Sequence, residues 1–407
     1  MEERERPGRV VPLHEFRGRA GLSPIGYAAA ERSLAESSMP FKITEHYLRL
    51  IERQSDPAVR QQLMNIVIPP AGDKPLTGRF DPYGNTDVRQ EGTTFLQHKY
   101  RPTLLVHIID ECVANCQFCY KTREIREERA SRDSGLQEKL SAAARYLHAH
   151  PEIDNVLLSG GDPAVFPSSR LQEIIRGLAE PDNVRVVRFA TKGLAYLPQR
   201  FQDEALLECF RDIRSRGKRV NVITQYNHPA EIEEESIKSL RALQGAGVQV
   251  YGQPVILRGV NDDADTLVQL QNRFLENNIQ SYYLVTFMPV KGVTQYALPL
   301  EKAFSLVAES KGRLNGLAKK GMLIAPHNWG KLEICGFLPS AARPEQAVMK
   351  WHEVVMPPYL PAGLQGTRPE DVMILGFAPG QIYCIDDLFR YNGLPNVRMD
   401  EDNKRTR

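Results

Sequence analysis

From residue 104 onward the chain alternates short apolar, β-branched runs with longer stretches whose apolar residues recur at helical spacing. The runs are Leu104–Ile109, Asn155–Leu158, Val184–Ala190, Val220–Thr224, Val248–Leu257, Ser281–Phe287 and Met322–Ala325. Helical periodicity fills the intervals: Leu136 to His148, Leu171 to Leu178, Glu204 to Ile213, Ile232 to Leu243, Leu267 to Phe274 and Lys302 to Leu314. Strand followed by helix, repeated, predicts an α/β fold of parallel βαβ units. Six or seven such units fit a partial or full TIM-like (β/α) barrel; a doubly wound open sheet is the rival.

Outside that region the pattern changes. Residues 1–103 read as a helical and loop extension, with an amphipathic helix over Thr44 to Arg53 opened by a threonine cap. Pro69 to Glu91, rich in Gly, Pro and Asp, reads as loop, and the charged run Arg123 to Arg132 as a solvated segment. Residues 332–407 form a small C-terminal segment in which prolines 357, 358 and 361 precede a strand-like stretch, Val372 to Phe377. The charged tail from Met399 onward reads as disordered.

Polar, chemically suggestive segments fall just after the strands: Ser159-Gly160-Gly161-Asp162-Pro163, Thr191-Lys192-Gly193, Gln225-Tyr226-Asn227-His228, Gln253 and His327-Asn328-Trp329-Gly330-Lys331. Barrel active sites assemble from the carboxyl ends of strands, so these segments converge on one mouth in the barrel reading.

Bulk composition narrows the classes. At 407 residues one large domain with smaller flanking segments is the default. With 52 basic and 50 acidic residues the formal charge is +2, which gives no electrostatic case for nucleic acid or a membrane surface. No apolar stretch reaches the ~20 residues of a membrane span, and the charged start Met1-Glu2-Glu3-Arg4-Glu5-Arg6 lacks the apolar core of a secretion signal. Six cysteines without a paired framework point to a reducing, cytoplasmic compartment.

The most informative chemistry lies in Cys112-Val113-Ala114-Asn115-Cys116-Gln117-Phe118-Cys119, directly after the first strand. A structural zinc site in an interaction protein would need a fourth ligand at a typical spacing, and Cys209, Cys335 and Cys384 each stand alone. Three thiolates instead hold three irons of a [4Fe-4S] cluster and leave the fourth open. An open iron chelates S-adenosylmethionine (SAM) and cleaves it to a 5′-deoxyadenosyl radical, chemistry belonging to the cofactor. In Leu157-Leu158-Ser159-Gly160-Gly161-Asp162-Pro163 a strand runs into paired glycines, which let a ligand lie against the backbone without a Cβ clash.

With these motifs the chain resembles the radical SAM superfamily and, within it, the lysine 2,3-aminomutase family. Further matching stretches are Leu197-Pro198-Gln199-Arg200, Asn227-His228-Pro229-Ala230-Glu231-Ile232, Leu257-Arg258-Gly259-Val260-Asn261-Asp262 and Tyr282-Tyr283, so the likeness spans about Phe41 to Lys331. The resemblance implies a (β/α)6-type barrel over 104–331, a four-iron cluster, SAM and pyridoxal 5′-phosphate (PLP). It implies a nitrogen shift from Cα to Cβ of an amino acid held on PLP, and a protein electron donor such as flavodoxin or ferredoxin; a homo-oligomer is possible in such a family. Carried over by position, Cys112, Cys116 and Cys119 hold the cluster, Phe118 packs near the adenine, and Ser159, Gly160, Gly161 and Asp162 line SAM. Gln225 and Gln253 fall near the adenosyl group or the PLP phosphate, and Lys331 where the family has its PLP lysine.

Departures from the family concern the substrate and PLP. The two aspartates that grip the substrate's distal ammonium correspond to Met288 and Ile324; an ammonium left unpaired there costs on the order of several kcal/mol. Lysine is therefore not the expected substrate. The carboxylate-binding arginine corresponds to Lys121, with Arg123 a nearby alternative, and the arginine near the pyridine ring to Lys192. Lys99 and Thr103 replace two basic residues near the phosphate. Trp329 occupies the turn before Lys331, where it is expected to take space the cofactor uses. Lys291, His327 and Asn328 are candidates to meet a polar or acidic substrate tail. These features predict a PLP-dependent aminomutase of another amino acid; the alternative keeps the cluster and SAM, dispenses with PLP, and rearranges, epimerises, dehydrogenates or eliminates on a specialised metabolite.

Overall fold

The computed structural model describes residues 8–37, 39–74, 78–79, 93–122, 135–338, 345–382 and 385–394. The charged run from Arg123, much of the Pro69 to Glu91 loop, Cys384 and the C-terminal tail lie outside them.

The first strands, β1 (Val10–Val11) and β2 (Ile43–Thr44), pair antiparallel ahead of helix Glu45–Glu52. Thr44 caps that helix as predicted, its hydroxyl accepting from Tyr47 N and donating to the Tyr196 carbonyl at 2.5 Å. β3 (Leu96–Tyr100) then pairs antiparallel with β4 (Thr103–Ile109). It is a strand the sequence pattern does not announce, because Leu96-Gln97-His98-Lys99-Tyr100 is mostly polar yet half sunk in the protein.

From β4 the strands run parallel in chain order: β5 (Asn155–Gly160), β6 (Val186–Thr191), β7 (Arg219–Thr224) and β8 (Gln249–Gly252). The next two runs are each interrupted. β8 is followed after Gln253-Pro254 by β9 (Val255–Ile256), and β10 (Ile279–Ser281) after Tyr282 by β11 (Tyr283–Thr286). Each half keeps its neighbour, β10 on β8 and β11 on β9, while β11 also pairs parallel with β12 (Met322–His327). Pro254 lacks an N–H, so the break falls where the ladder loses a donor; its carbonyl still accepts from Val285 N at 2.9 Å.

Strand order thus follows chain order from β4 to β12 without the reversal that defines a doubly wound sheet. The wall is that of a partial (β/α) barrel, with the predicted helices, Leu136–Ala149 through Leu300–Gly312, between successive strands. Across the open side, Lys99 Nζ donates to the His327 carbonyl at 3.1 Å and Met356 N to the Lys99 carbonyl at 3.0 Å.

After β12 the chain turns at His327-Asn328-Trp329-Gly330 into β13 (Gly330–Leu338), followed antiparallel by β14 (Glu345–Val354) and β15 (Val372–Phe377). The C-terminal segment therefore continues the barrel sheet, and residue 331 lies at the start of a strand. Its Trp329, Trp351, Leu388 and Phe389 pack in a second core shared with the last barrel units, through Ile256, Leu284 and Leu300 among others. The N-terminal helices share the main barrel core instead: Asn65 Nδ2 donates to the Gly259 carbonyl at 2.7 Å and Tyr47 Oη to Glu231 at 3.0 Å.

Candidate active site

Two adjoining cavities lie within the barrel, the smaller at the carboxyl ends of the strands and the larger deeper, reaching Thr103 and Tyr283 at the starts of β4 and β11. The smaller, about 170 Å³, is lined by Cys112, Cys116, Cys119, Lys121, Gly160, Gly161, Asp162, Lys192 and Gln225, among others. The larger, about 230 Å³, contains Lys99, Thr103, Arg188, Tyr283, His327 and Lys331. Tyr120, Ser159, Ala190, Ile223 and Gln253 line both, so a molecule in one meets a molecule in the other.

The cysteine loop is held from several sides. Lys42 Nζ donates to the Cys112 carbonyl at 2.5 Å, Asn115 N to the Lys42 carbonyl at 2.8 Å and Gln117 N to the Ile66 carbonyl at 3.0 Å. The paired glycines also serve this loop. Gly161 N donates to the Ile109 carbonyl at 2.6 Å and Asp162 N to the Glu111 carbonyl at 2.7 Å. A Cβ on Gly160, at φ +123°, would lie 2.1 Å from the Ile109 carbonyl, and one on Gly161 2.2 Å from that of Glu111. The expectation that these glycines admit a ligand is therefore corrected in its main reason. They line the small cavity, but their missing side chains make room first for the backbone leading into the cysteines.

Burial pushes the Cys112 thiol well up and that of Cys116 up to about 12. Thiols so raised need a metal's charge to become thiolates. The side chains present fit a cluster: three sulfurs face one cavity, Lys192 lowers the cost of charge at Cys116, and Tyr196 Oη stands 3.2 Å from Cys116 Sγ.

Asp162 is buried at the centre of the next loop. It accepts from Thr191 Oγ1 at 2.7 Å, Lys192 N at 2.9 Å and Ala164 N at 2.9 Å. Burial raises its carboxyl despite these donors. Lys192 reaches Glu231 and the Gln225 carbonyl, both at 2.6 Å. Glu231, wholly buried, also accepts from the backbone of Asn227 at 2.5 Å and His228 at 3.1 Å. Such a buried pair stands because hydrogen bonds occupy its remaining lone pairs. Sequence reasoning placed Lys192 near the pyridine ring; the structure puts it on the cysteine side, outside the larger cavity's lining. Glu231 went unnoticed although it sits in a quoted matching stretch.

In the larger cavity Lys331 Nζ pairs with Glu353 at 2.5 Å and lies 5.1 Å from the ring centroids of both Tyr100 and Tyr283. Burial raises the Glu353 carboxyl, but the Lys331 charge outweighs it and holds the carboxyl below its ordinary value. Burial drives the Tyr283 hydroxyl far up, and it stands 2.7 Å from His352 Nε2. Arg188, Tyr100 and Glu353 escaped the sequence reading; the inward-facing register of β6 was the available signal for Arg188.

Other residues lie elsewhere than expected. Trp329 does not fill cofactor space: it is buried in the C-terminal core, stacked on Phe389 at 5.6 Å and 14°. The hairpin directs its side chain away from that of Lys331. Phe118 packs edge-on against Tyr296 at 6.0 Å, outside the lining of both cavities. Met288 and Ile324 are buried, and neither lines the larger cavity. Lys121 Nζ donates to Ser159 Oγ at 2.6 Å and the Gly160 carbonyl at 3.0 Å, at the junction of the cavities. Asn328 is buried with both amide atoms unpaired, and Lys291 is tied by its backbone to Arg79.

No family model matches the chain. Individual proteins do. A protein of Aquifex aeolicus that carries the name L-lysine 2,3-aminomutase provisionally is 32% identical over 300 residues, 73% of this chain and 77% of that one. The L-lysine 2,3-aminomutase of Clostridium subterminale is 31% identical over 303 residues, 73% of this chain and 69% of its own length. The glutamate 2,3-aminomutase of Clostridioides difficile is 28% identical over 253 residues, 62% of this chain and 57% of its own length. With the cysteine triplet at the carboxyl mouth of a parallel barrel, these relatives make the chain a radical SAM enzyme of the lysine 2,3-aminomutase family, an isomerase by type.

Proposed function

We propose that the protein is a PLP-dependent 2,3-aminomutase acting on an amino acid other than lysine. The observation that carries the reading is the charge of the larger cavity. Lys99, Arg188 and Lys331 line it, and its one lining carboxylate among the described residues, Glu353, is paired with Lys331. Among the described residues a distal ammonium would meet cations there and no spare carboxylate, whereas a phosphate would be attracted.

The groups present fit both cofactors. Cys112, Cys116 and Cys119 would hold the cluster, with Ser159, Gly160, Gly161, Asp162, Gln225 and Gln253 around SAM. Tyr100 and Tyr283 flank Lys331 closely enough to wall a flat ring, and Lys99 with Arg188 supplies charge for a phosphate. When bound, the cluster with SAM supplies a carbon radical, and PLP supplies an electron sink beside the migrating nitrogen.

The chain's residues do the rest. Glu353 holds the Lys331 amine in place beside the two tyrosine rings. Lys121 brings a cation to the junction, where a carboxylate of SAM or substrate arrives. Gln253, lining both cavities, and the buried Lys192–Glu231 pair keep the two mouths in register. A small reduced protein such as flavodoxin or ferredoxin would deliver the electron.

The test is borohydride reduction of anaerobically prepared protein with PLP. A pyridoxyl adduct on Lys331, lost in Lys331→Ala together with at least ~10³-fold of turnover, is expected; full turnover by Lys331→Ala would refute the reading. One observation favours the PLP-free alternative: the Lys331 amine is already engaged by Glu353. Formation of 5′-deoxyadenosine with substrate in protein that binds no PLP would establish that version.

A further inference from the structure

We propose that His98, His150 and Glu152 form a binding site for a divalent transition-metal ion at the opposite end of the barrel from the cysteines. His98 belongs to β3, whose turn at Arg101 leads into the start of β4, while His150 and Glu152 lie in the segment entering β5. The site is therefore at the amino ends of the parallel strands, and the cysteine loop at the carboxyl end of β4.

One ligand atom from each residue lies within 4.8 Å of the others, the only such group of three among the described residues. Two imidazoles and a carboxylate are a donor set for zinc, cobalt or nickel, with a further position left for water. The donors are held in place before any ion arrives. His98 is 1% exposed, and its Nε2 lies 3.0 Å from the Arg101 carbonyl. A carbonyl only accepts, so Nε2 carries the hydrogen and Nδ1 the lone pair, the tautomer a ligating histidine needs.

The loop bearing the other two donors is equally fixed. Asn183 Nδ2 donates to the carbonyls of Leu147, His150 and Ile153, between 2.7 and 3.3 Å. Tyr146 stacks on His150 with centroids 4.2 Å apart and stands 3.1 Å from His98 Nδ1 through its hydroxyl. His150 Nδ1 already faces Glu152 at 3.0 Å. An ion would take the place of the Tyr146 hydroxyl at His98 and join the three side chains, tying the β3–β4 hairpin to the helix Leu136–Ala149.

The test adds Zn2+ to cluster-loaded protein, removes free metal by gel filtration and measures zinc and iron per chain. His150→Ala combined with Glu152→Ala is the comparison, since both side chains are about one-third exposed, 35% and 32%, and replaceable without opening the core. Expected are one retained zinc per wild-type chain, at least tenfold weaker binding in the double variant, and equal iron in both. Equal zinc retention by the two proteins, or zinc gained only as iron is lost, would overturn the proposal. Iron content reports on the cysteine site separately, so failure of one assignment does not imitate failure of the other.

Discussion

Tyr196 shows how one residue can bear on the chemistry. Its hydroxyl has Cys116 Sγ as its partner at 3.2 Å, and its ring meets Tyr47 edge-on at 4.7 Å. In the proposed cluster Cys116 would bind iron as a thiolate with no proton to give, so the bond would run from tyrosine to sulfur. A donor at a cluster sulfur stabilises the more negative, reduced state. Tyr196→Phe should therefore hold a full cluster but lower its midpoint potential by on the order of tens of millivolts, the equivalent of about 1 kcal/mol for one hydrogen bond. Redox titration followed by electron paramagnetic resonance reads this directly, and an unchanged potential would assign Tyr196 to packing alone.

At the scale of elements, the N-terminal helices are joined by charge. Burial pushes the Glu45 carboxyl up, but hydrogen bonds from Arg19, Arg49 and Arg9 outweigh it and hold the group at about 2. A carboxyl lowered from its ordinary 4.5 adds stability that is complete above pH 4.5 and lost as pH falls toward 2. Glu45→Gln should cost roughly 1–3 kcal/mol, because the arginines lose a charged acceptor. Hydrogen exchange should show it as earlier opening of helices Leu13–Arg19 and Glu45–Glu52, with a weaker acid dependence than wild type. Uniform exchange across the two proteins would contradict this.

Elements also mark the limit of what the residues disclose beforehand. The parallel strands and their helices were legible because alternate strand residues are buried and the helices carry apolar residues at helical spacing, and Val372–Phe377 was read to the residue. β3 was not, since its polar side chains are satisfied by tertiary partners such as Tyr146 and the His327 carbonyl. The cysteine triplet and glycine pair were visible as motifs, but the reason for the glycines was not, because the Ile109 and Glu111 carbonyls that crowd them lie about 50 positions earlier. Trp329 misled for a similar reason: its position beside Lys331 is local, whereas its direction is set by Phe389 of the C-terminal helix, on which it stacks.

For the whole molecule, the central arrangement is a curved parallel wall that sets three thiols in one cavity beside a second, cation-lined one. The N-terminal helices grip the cysteine loop from behind, and the C-terminal sheet presents Lys331 from the other side. Within the described residues no helix is long and apolar enough to cross a membrane. The most direct measurement is anaerobic reconstitution with iron and sulfide, followed by paramagnetic resonance of the reduced protein with and without SAM. The account predicts about four irons and four sulfides per chain, a signal altered by SAM, and loss of both on replacing Cys112, Cys116 and Cys119. Zinc in place of iron, or a cluster whose signal ignores SAM, would contradict it.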